Sequence, residues 1–282
     1  MIVRPQDLIL TGVTTYLMCP PTYFDVVYSI NEWMDPSTPV DRAAAARQWQ
    51  ALVDTYRALG HEVLFVDPVP GLPDMVFVTD SGIVVDGVAM GARYRSAERV
   101  PEAGHVQNWF VDNGIYAAEP EFVNEGGGDF LAAGAVILAG SGFRSDPRAH
   151  AEVAKYFRRE VVSLELVDPR CYHLNTALGV LADTVAYRPS AFSAASRALL
   201  RRRFPDAIVA TDADTDWLGL NFVCDGTHVV LAAQALDLQR QLRARGYLPV
   251  PVDFSEFRKS GGGIRCATLT LDGYAGMQRE AS

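Results

Sequence analysis

The sequence predicts an α/β protein built from a repeated helix-and-strand unit, and three observations carry that expectation. Amphipathic stretches of helical period alternate with short β-branched runs along the chain. Each strand-like run leads, after a short gap, into a landmark of small or polar residues. With Phe77, Gly126, His173, Asn221 and Cys266 as markers, the landmarks are spaced by 49, 47, 48 and 45 residues. A fixed period of this length is the signature of a repeat architecture. In such an arrangement the polar residues at corresponding strand ends converge on one axis. An ordinary α/β chain alternates at roughly the same pitch, so periodicity alone leaves that alternative open.

Local signals justify each element. Over 45–59, Ala45, Trp49, Leu52, Tyr56 and Leu59 recur at three and four residues, Asp41 stands at the N-cap position and Gly60 ends the run. A strand over 62–67 follows. The segment 106–111 reads as helix, stops at Asn113-Gly114 and runs into 115–118. Asp74 and Asp80 flank an alternating strand, and six residues at period two put both on one side. Asp146-Pro147 opens a helix carrying Val153 and Phe157, with a strand over 161–166. Ser190 caps a helix that runs through Leu200, and 207–210 follows as strand. The last helix spans 232–245, ends at Gly246 and leads into a strand over 248–253.

Composition excludes several classes. Hydrophobic residues are 49% and charged residues 21%, which rules out disorder. Twenty-five Lys+Arg against 34 Asp+Glu give −9, a balance that argues against a nucleic-acid partner. The longest apolar run, 131–139, is about half of what a bilayer requires, so no membrane partner is expected. Residues 1–7 show no basic segment followed by an apolar one, so no leader is read. Cys19, Cys171, Cys224 and Cys266 form no CxxC, which points to reduced thiols and a cytoplasmic location. Scattered Pro and Gly argue against a hinge, and a single domain over 1–282 is expected.

Several residues have a chemistry to offer. Cys266 follows Gly261-Gly-Gly-Ile-Arg, where glycines admit a close ligand and Arg265 is positioned to favour a thiolate; the alternative is a buried, inert cysteine. His173 suits a general acid/base for that thiol, or is a structural histidine near a strand end. As a metal site, Cys171 and His173 lack a second pair at zinc spacing, so no metal is expected. Asp74, Asp80, Glu125 and Asp129 together suit a guanidinium, which takes planar bidentate pairing; turn chemistry is the other reading. Arg144, between a glycine-rich strand end and a helix start, is placed to clamp a substrate carboxylate. Arg99 and Arg93 are further candidates, with a surface salt bridge as the alternative for each.

Met18-Cys-Pro-Pro-Thr-Tyr-Phe-Asp25, Pro73-Asp-Met-Val-Phe77, Asn124-Glu-Gly-Gly-Gly-Asp129, Arg144-Ser, His173-Leu-Asn-Thr176 and Gly262-Gly-Ile-Arg-Cys266 occur in that order. On these motifs the chain resembles the guanidino-group-modifying enzymes of the pentein superfamily, and within it the dimethylargininase family. The resemblance implies a pentein fold, an α/β propeller of five ββαβ repeats around a pseudo-fivefold axis. It implies Cys266 as nucleophile, His173 as acid/base and Glu125 as the carboxylate that orients the imidazole. Asp74 and Asp80 correspond to guanidinium-binding acids, with Phe77 and Asp129 beside them, and Arg144 and Arg99 to ligands of the amino-acid carboxylate. Some relatives carry another acid where this chain has Gly127, which leaves Glu125 and Asp129 as alternatives for the histidine partner. The stretch 23–34 resembles a loop that closes over substrate, with Glu32 where close relatives would have proline.

The implied activity is hydrolysis of the guanidinium C–N bond of N-omega-methylated arginines, giving citrulline and an amine through a covalent thiouronium. The implied partner is a small guanidino substrate, no cofactor is called for, and homodimer formation is left open. Rival readings are arginine deiminase, an enzyme that takes arginine on to ornithine, and a non-catalytic pentein-fold binding protein. Relatives of the second kind have Asn where this chain has Asp80.

Overall fold

A computed structural model describes residues 12–274. The expected domain limits and the reading of residues 1–7 extend into 1–11 and 275–282, which lie outside the described residues. Strand β1 (Thr15–Met18) is followed by helix α1 (Arg42–Ala58) and β2 (Glu62–Phe65), and β1 and β2 pair in parallel. The next unit has β3 (Gly82–Val85), β4 (Val88–Gly91), α2 (Val100–Asp112) and β5 (Ala117–Ala118). A single turn α3 (Gly126–Asp129) leads into β6 (Phe130–Ala133), β7 (Val136–Ser141), α4 (Arg148–Phe157) and β8 (Glu160–Glu165). The turn α5 (Leu174–Ala177) leads into β9 (Leu178–Val180), β10 (Val185–Tyr187), α6 (Ala194–Arg203) and β11 (Ile208–Val209). The turn α7 (Asp212–Asp216) precedes β12 (Val223–Cys224), β13 (His228–Ala232), α8 (Leu236–Ala244) and β14 (Leu248–Val252). Finally α9 (Ser255–Arg258) precedes β15 (Leu269–Thr270).

The strands form five three-stranded sheets with one shared plan. An inner strand pairs antiparallel with a central strand, which pairs in parallel, across its helix, with an outer strand. In four sheets all three strands come from one continuous stretch. In the remaining sheet the inner strand is β15, which pairs antiparallel with β1 (Leu17 opposite Leu269) and closes the ring. This is the expected set of five ββαβ repeats, rotated by one strand relative to the chain. Among the described residues, one apolar cluster sits between each pair of neighbouring sheets.

Three sequence expectations are corrected. Asp74 and Asp80 do not lie on a strand but on two consecutive 3-10 turns, Pro73–Val76 and Val78–Ser81. Pro73, which lacks an N–H, starts the first of them. Helix α6 is capped by Ser193, whose hydroxyl accepts from Ser196 N, because Pro189–Ala191 already forms a 3-10 turn. The helix read over 232–245 begins only at Leu236: the apolar run before it is β13, held in parallel register by β14. At α1 the local signal works as read. Asp41 accepts from Ala44 N at 2.9 Å to start α1, whereas at α4 Pro147 takes the cap position itself and Asp146, one residue earlier, accepts from Arg148 N at 2.9 Å.

Leu17 is fully buried in the closing sheet, opposite both Leu64 and Leu269. Leu17→Ala is expected to cost about 2–5 kcal/mol in urea unfolding, the range for a buried leucine that leaves a cavity. A loss under about 1 kcal/mol would show that the closure does not depend on this contact.

Candidate active site

A single turn precedes each inner strand, and these turns carry the chemistry. Asp80 comes from the turn before β3, Glu125 from the cap of α3, and His173 and Asn175 from α5. Asn221 stands before β12, and Cys266 before β15. The turns are tied to one another: Thr79 N donates to the Cys266 carbonyl at 3.2 Å, and Cys266 N donates to Asn221 Oδ1 at 3.0 Å. The repeat period therefore becomes spatial convergence.

A buried line of alternating charge runs through this centre. Arg99 Nη1 lies 2.6 Å from Asp80 Oδ2, and the other Asp80 oxygen is 3.7 Å from His173 Nδ1. His173 Nε2 is 2.8 Å from Glu125 Oε2, which also takes Arg144 Nη1 at 2.7 Å. Burial works against the His173 imidazolium, but the charges of Asp80, Glu125 and Asp129 outweigh it and raise its pKa. Burial likewise works against the Glu125 carboxylate, yet its bond to His173 and the Arg144 charge hold it down at about 2. Glu102 is fully buried against Arg99, and burial pushes it up to about 7.

Cys266 is 1% exposed. Asn221 Nδ2 donates to its sulfur at 3.2 Å, and Asn175 Oδ1 lies 3.7 Å away. Burial, with the Asp80 charge second, lifts the thiol to about 12, so it rests protonated at neutral pH. Arg265 turns its Nη1 to Thr270 Oγ1, and its charge is not among the larger influences on the thiol.

Asp74 takes Ser260 Oγ at 3.1 Å on one oxygen and Tyr28 Oη at 2.8 Å on the other. Tyr28 belongs to the stretch 23–34, which is drawn over the centre. Arg144 Nη2 donates to the Ile30 carbonyl, Asn31 Nδ2 to the Ser260 carbonyl and Trp33 Nε1 to the Arg170 carbonyl. Glu32 is exposed on it. Phe77 packs edge-on against Phe24 and Phe257, and a Cβ on Gly262 would collide with its ring.

Some candidates stand elsewhere than expected. Asp129 points behind the imidazole: its oxygens take Ser145 Oγ at 2.6 Å and Leu174 N at 3.0 Å, fixing the turn that carries His173. Arg99, expected on a substrate carboxylate, is enclosed by Asp80, Glu102 and the carbonyls of Asp74 and Phe77. Arg93 bonds the Glu121 carbonyl instead of facing the centre. Sequence reasoning missed Asn175 and Asn221, although both lie inside recurring landmarks. It also missed Ser260 and Glu102, for which no motif gave a signal, and Tyr28, which lies inside the stretch 23–34 but was not singled out.

His173 Nδ1 and Asp80 Oδ1 are buried and have no hydrogen-bond partner within the described residues. Leaving such groups unpaired is costly. A Cβ on Gly128 would lie 2.6 Å from that Asp80 oxygen and 3.1 Å from that ring nitrogen. A flat cation with several donors, set between these atoms and the sulfur, satisfies the acceptor and brings the charge that the thiol lacks.

A ring that closes acids and an imidazole around one thiol in this way places the chain among the penteins that modify guanidino groups. No protein-family model matches the chain. It is 49% identical, over 91% of its length and 85% of the relative, to N(G),N(G)-dimethylarginine dimethylaminohydrolase of Mycobacterium tuberculosis. It is 35% identical to the bifunctional arginine dihydrolase/ornithine cyclodeaminase AgrE of Nostoc, over 93% of this chain but only 38% of that protein. Among solved structures, the substrate-bound N-terminal domain of ArgZ, a cyanobacterial arginine dihydrolase, superposes with a TM-score of 0.88 at 32% identity, covering 92% of this chain and 98% of that one. The chain belongs to the dimethylarginine dimethylaminohydrolase family. Among the described residues no helix is long and apolar enough to cross a membrane.

Glu125→Gln removes one of the negative charges that hold His173 protonated. Its pKa is therefore expected to fall, and the imidazole resonances in an NMR titration should move at lower pH than in the parent. An unchanged or higher midpoint would mean that Glu125 does not support the imidazolium.

Proposed function

We propose that the chain, as one catalytic domain, hydrolyses N-omega-methylated arginine to citrulline and methylamine or dimethylamine. The observation that carries this is a thiol held neutral by burial beside an unpaired Asp80 oxygen and His173. Asp74 and Asp80 grip the guanidinium, whose positive charge lowers the cost of ionising Cys266, and the thiol proton passes to solvent because His173 already carries its own. The thiolate attacks the central guanidinium carbon, and the departing amine takes a proton from His173 as its C–N bond breaks. His173 then takes a proton from water, which attacks the thiouronium carbon. The C–S bond breaks as the hydroxyl proton passes to the departing sulfur, so the resting thiol returns and the neutral ureido product leaves. Glu125 holds the ring for both transfers, and Arg144, expected to clamp a substrate carboxylate, instead holds Glu125 through Nη1 and the 23–34 stretch through Nη2.

A second reading is arginine as substrate, favoured by the close superposition on ArgZ. Asp80 in place of Asn favours stopping at the ureido product. A citrulline assay with dimethylarginine, monomethylarginine, arginine and agmatine decides between them. Dimethylarginine is expected to give the highest kcat/KM, and a preference for arginine would transfer the assignment to the second reading. Cys266→Ser is expected to lower citrulline formation at least ~1000-fold. A resting thiol near pKa 12 also predicts that a cationic haloamidine alkylates Cys266 much faster than the neutral haloamide of the same shape. Equal rates would count against activation by the bound cation.

Tyr28 is assigned a positioning role on Asp74. Burial raises the Asp74 pKa, and the Tyr28 bond is one of the influences that lower it. Tyr28→Phe is expected to raise KM about tenfold, as for loss of a hydrogen bond to a charged group. Because the carboxylate becomes harder to ionise, the acidic limb of kcat/KM should shift to higher pH. A purely structural tyrosine would leave that limb in place.

A further inference from the structure

The inner strands of all five sheets also wall an axial cavity of about 460 Å³. Gly127 and Asn175, at the back of the Cys266 centre, line it, and no residue of 23–34 does. Its size is that of small-molecule pockets, roughly 300–1,000 Å³. Much of the wall is apolar, with Phe130, Leu178, Val223 and Leu269 prominent.

The charges at this cavity are unequally matched. Asp86 is 2.6 Å from Arg159, and Asp272 accepts from Asp86 N at 3.0 Å. Arg265, half-buried in the lining, has no carboxylate at ion-pair distance among the described residues, and its side chain bonds only Thr270 Oγ1, at 2.6 Å. The ionisable groups that most affect it are the Tyr56 and Tyr16 phenols and the Cys266 thiol, each held protonated by burial. Arg99 and Arg144, by contrast, each have a carboxylate within 2.8 Å. A guanidinium drawn out of bulk water toward apolar walls favours a counter-charge, and its fork suits a planar or tetrahedral oxyanion.

We propose that Arg265 anchors a second ligand site in this axial cavity. The site takes a small molecule whose carboxylate or phosphate pairs with the guanidinium and whose apolar body lies along the inner strands. It is distinct from the Arg144 side of the catalytic centre and holds whether the substrate there is arginine or its methylated form.

The test is calorimetric titration of the full chain at low ionic strength with acetate, hexanoate and inorganic phosphate. Hexanoate is expected to bind at one site per chain, at least tenfold tighter than acetate. Arg265→Gln and Ala132→Phe should each weaken binding at least tenfold. Ala132 is exposed at the cavity lining, so its variant fills the space without entering the core. It should keep citrulline formation, and it carries the test if the Arg265 variant does not fold. Phosphate binding alone, lost in both variants, would retain the oxyanion site and overturn the apolar-body part. No saturable binding of any probe, or binding that survives Ala132→Phe, would overturn the site.

Discussion

Charges removed from water have to be balanced inside the protein, and that constraint organises the whole centre. Arg99, Asp80, His173, Glu125 and Arg144 alternate in sign along an almost fully buried line. Removing one member of such a set strands its neighbour at a cost of about 3–5 kcal/mol. The members come from three consecutive repeats, so charge balance is reached only when those repeats have packed. The same balance leaves the thiol uncharged and one Asp80 oxygen unsatisfied. Both conditions suit an enzyme whose substrate itself brings a positive charge.

Much of this was legible beforehand because the repeat writes its function at a fixed interval. The markers at 77, 126, 173, 221 and 266 lie in or beside the turns that precede the five inner strands. What periodicity cannot convey is the direction of a side chain within a turn. Asp129 looks as available as Glu125 in the sequence, yet Leu174 N and Ser145 draw it behind the ring. Arg99 looks like a free clamp until Glu102, one helical turn later, is seen enclosing it with Asp80. Tyr28 reaches Asp74 across 46 residues of sequence, a contact no local pattern encodes. The alternating pattern around Phe77 suggested a strand, but Pro73 starts a tighter coil.

The segment over the centre and the scaffold beneath it divide the work. The ring superposes closely on a domain described as an arginine dihydrolase, so the backbone frame alone does not distinguish the two candidate substrates. Contacts from the 23–34 stretch reach Asp74, Ser260 and Arg144, groups belonging to three different repeats. Gly262 lets Phe77 stand against the backbone that carries Cys266.

The pairing of β15 with β1 has a temporal consequence. During synthesis the acids and the imidazole emerge well before the sulfur, and the strand that seats the sulfur must find a partner made more than 250 residues earlier. A nascent or partly assembled chain thus holds its cation-binding groups without a reactive thiol beside them. Competence to react with a guanidinium therefore requires this pairing, a long-range contact of the kind that closes slowly in folding.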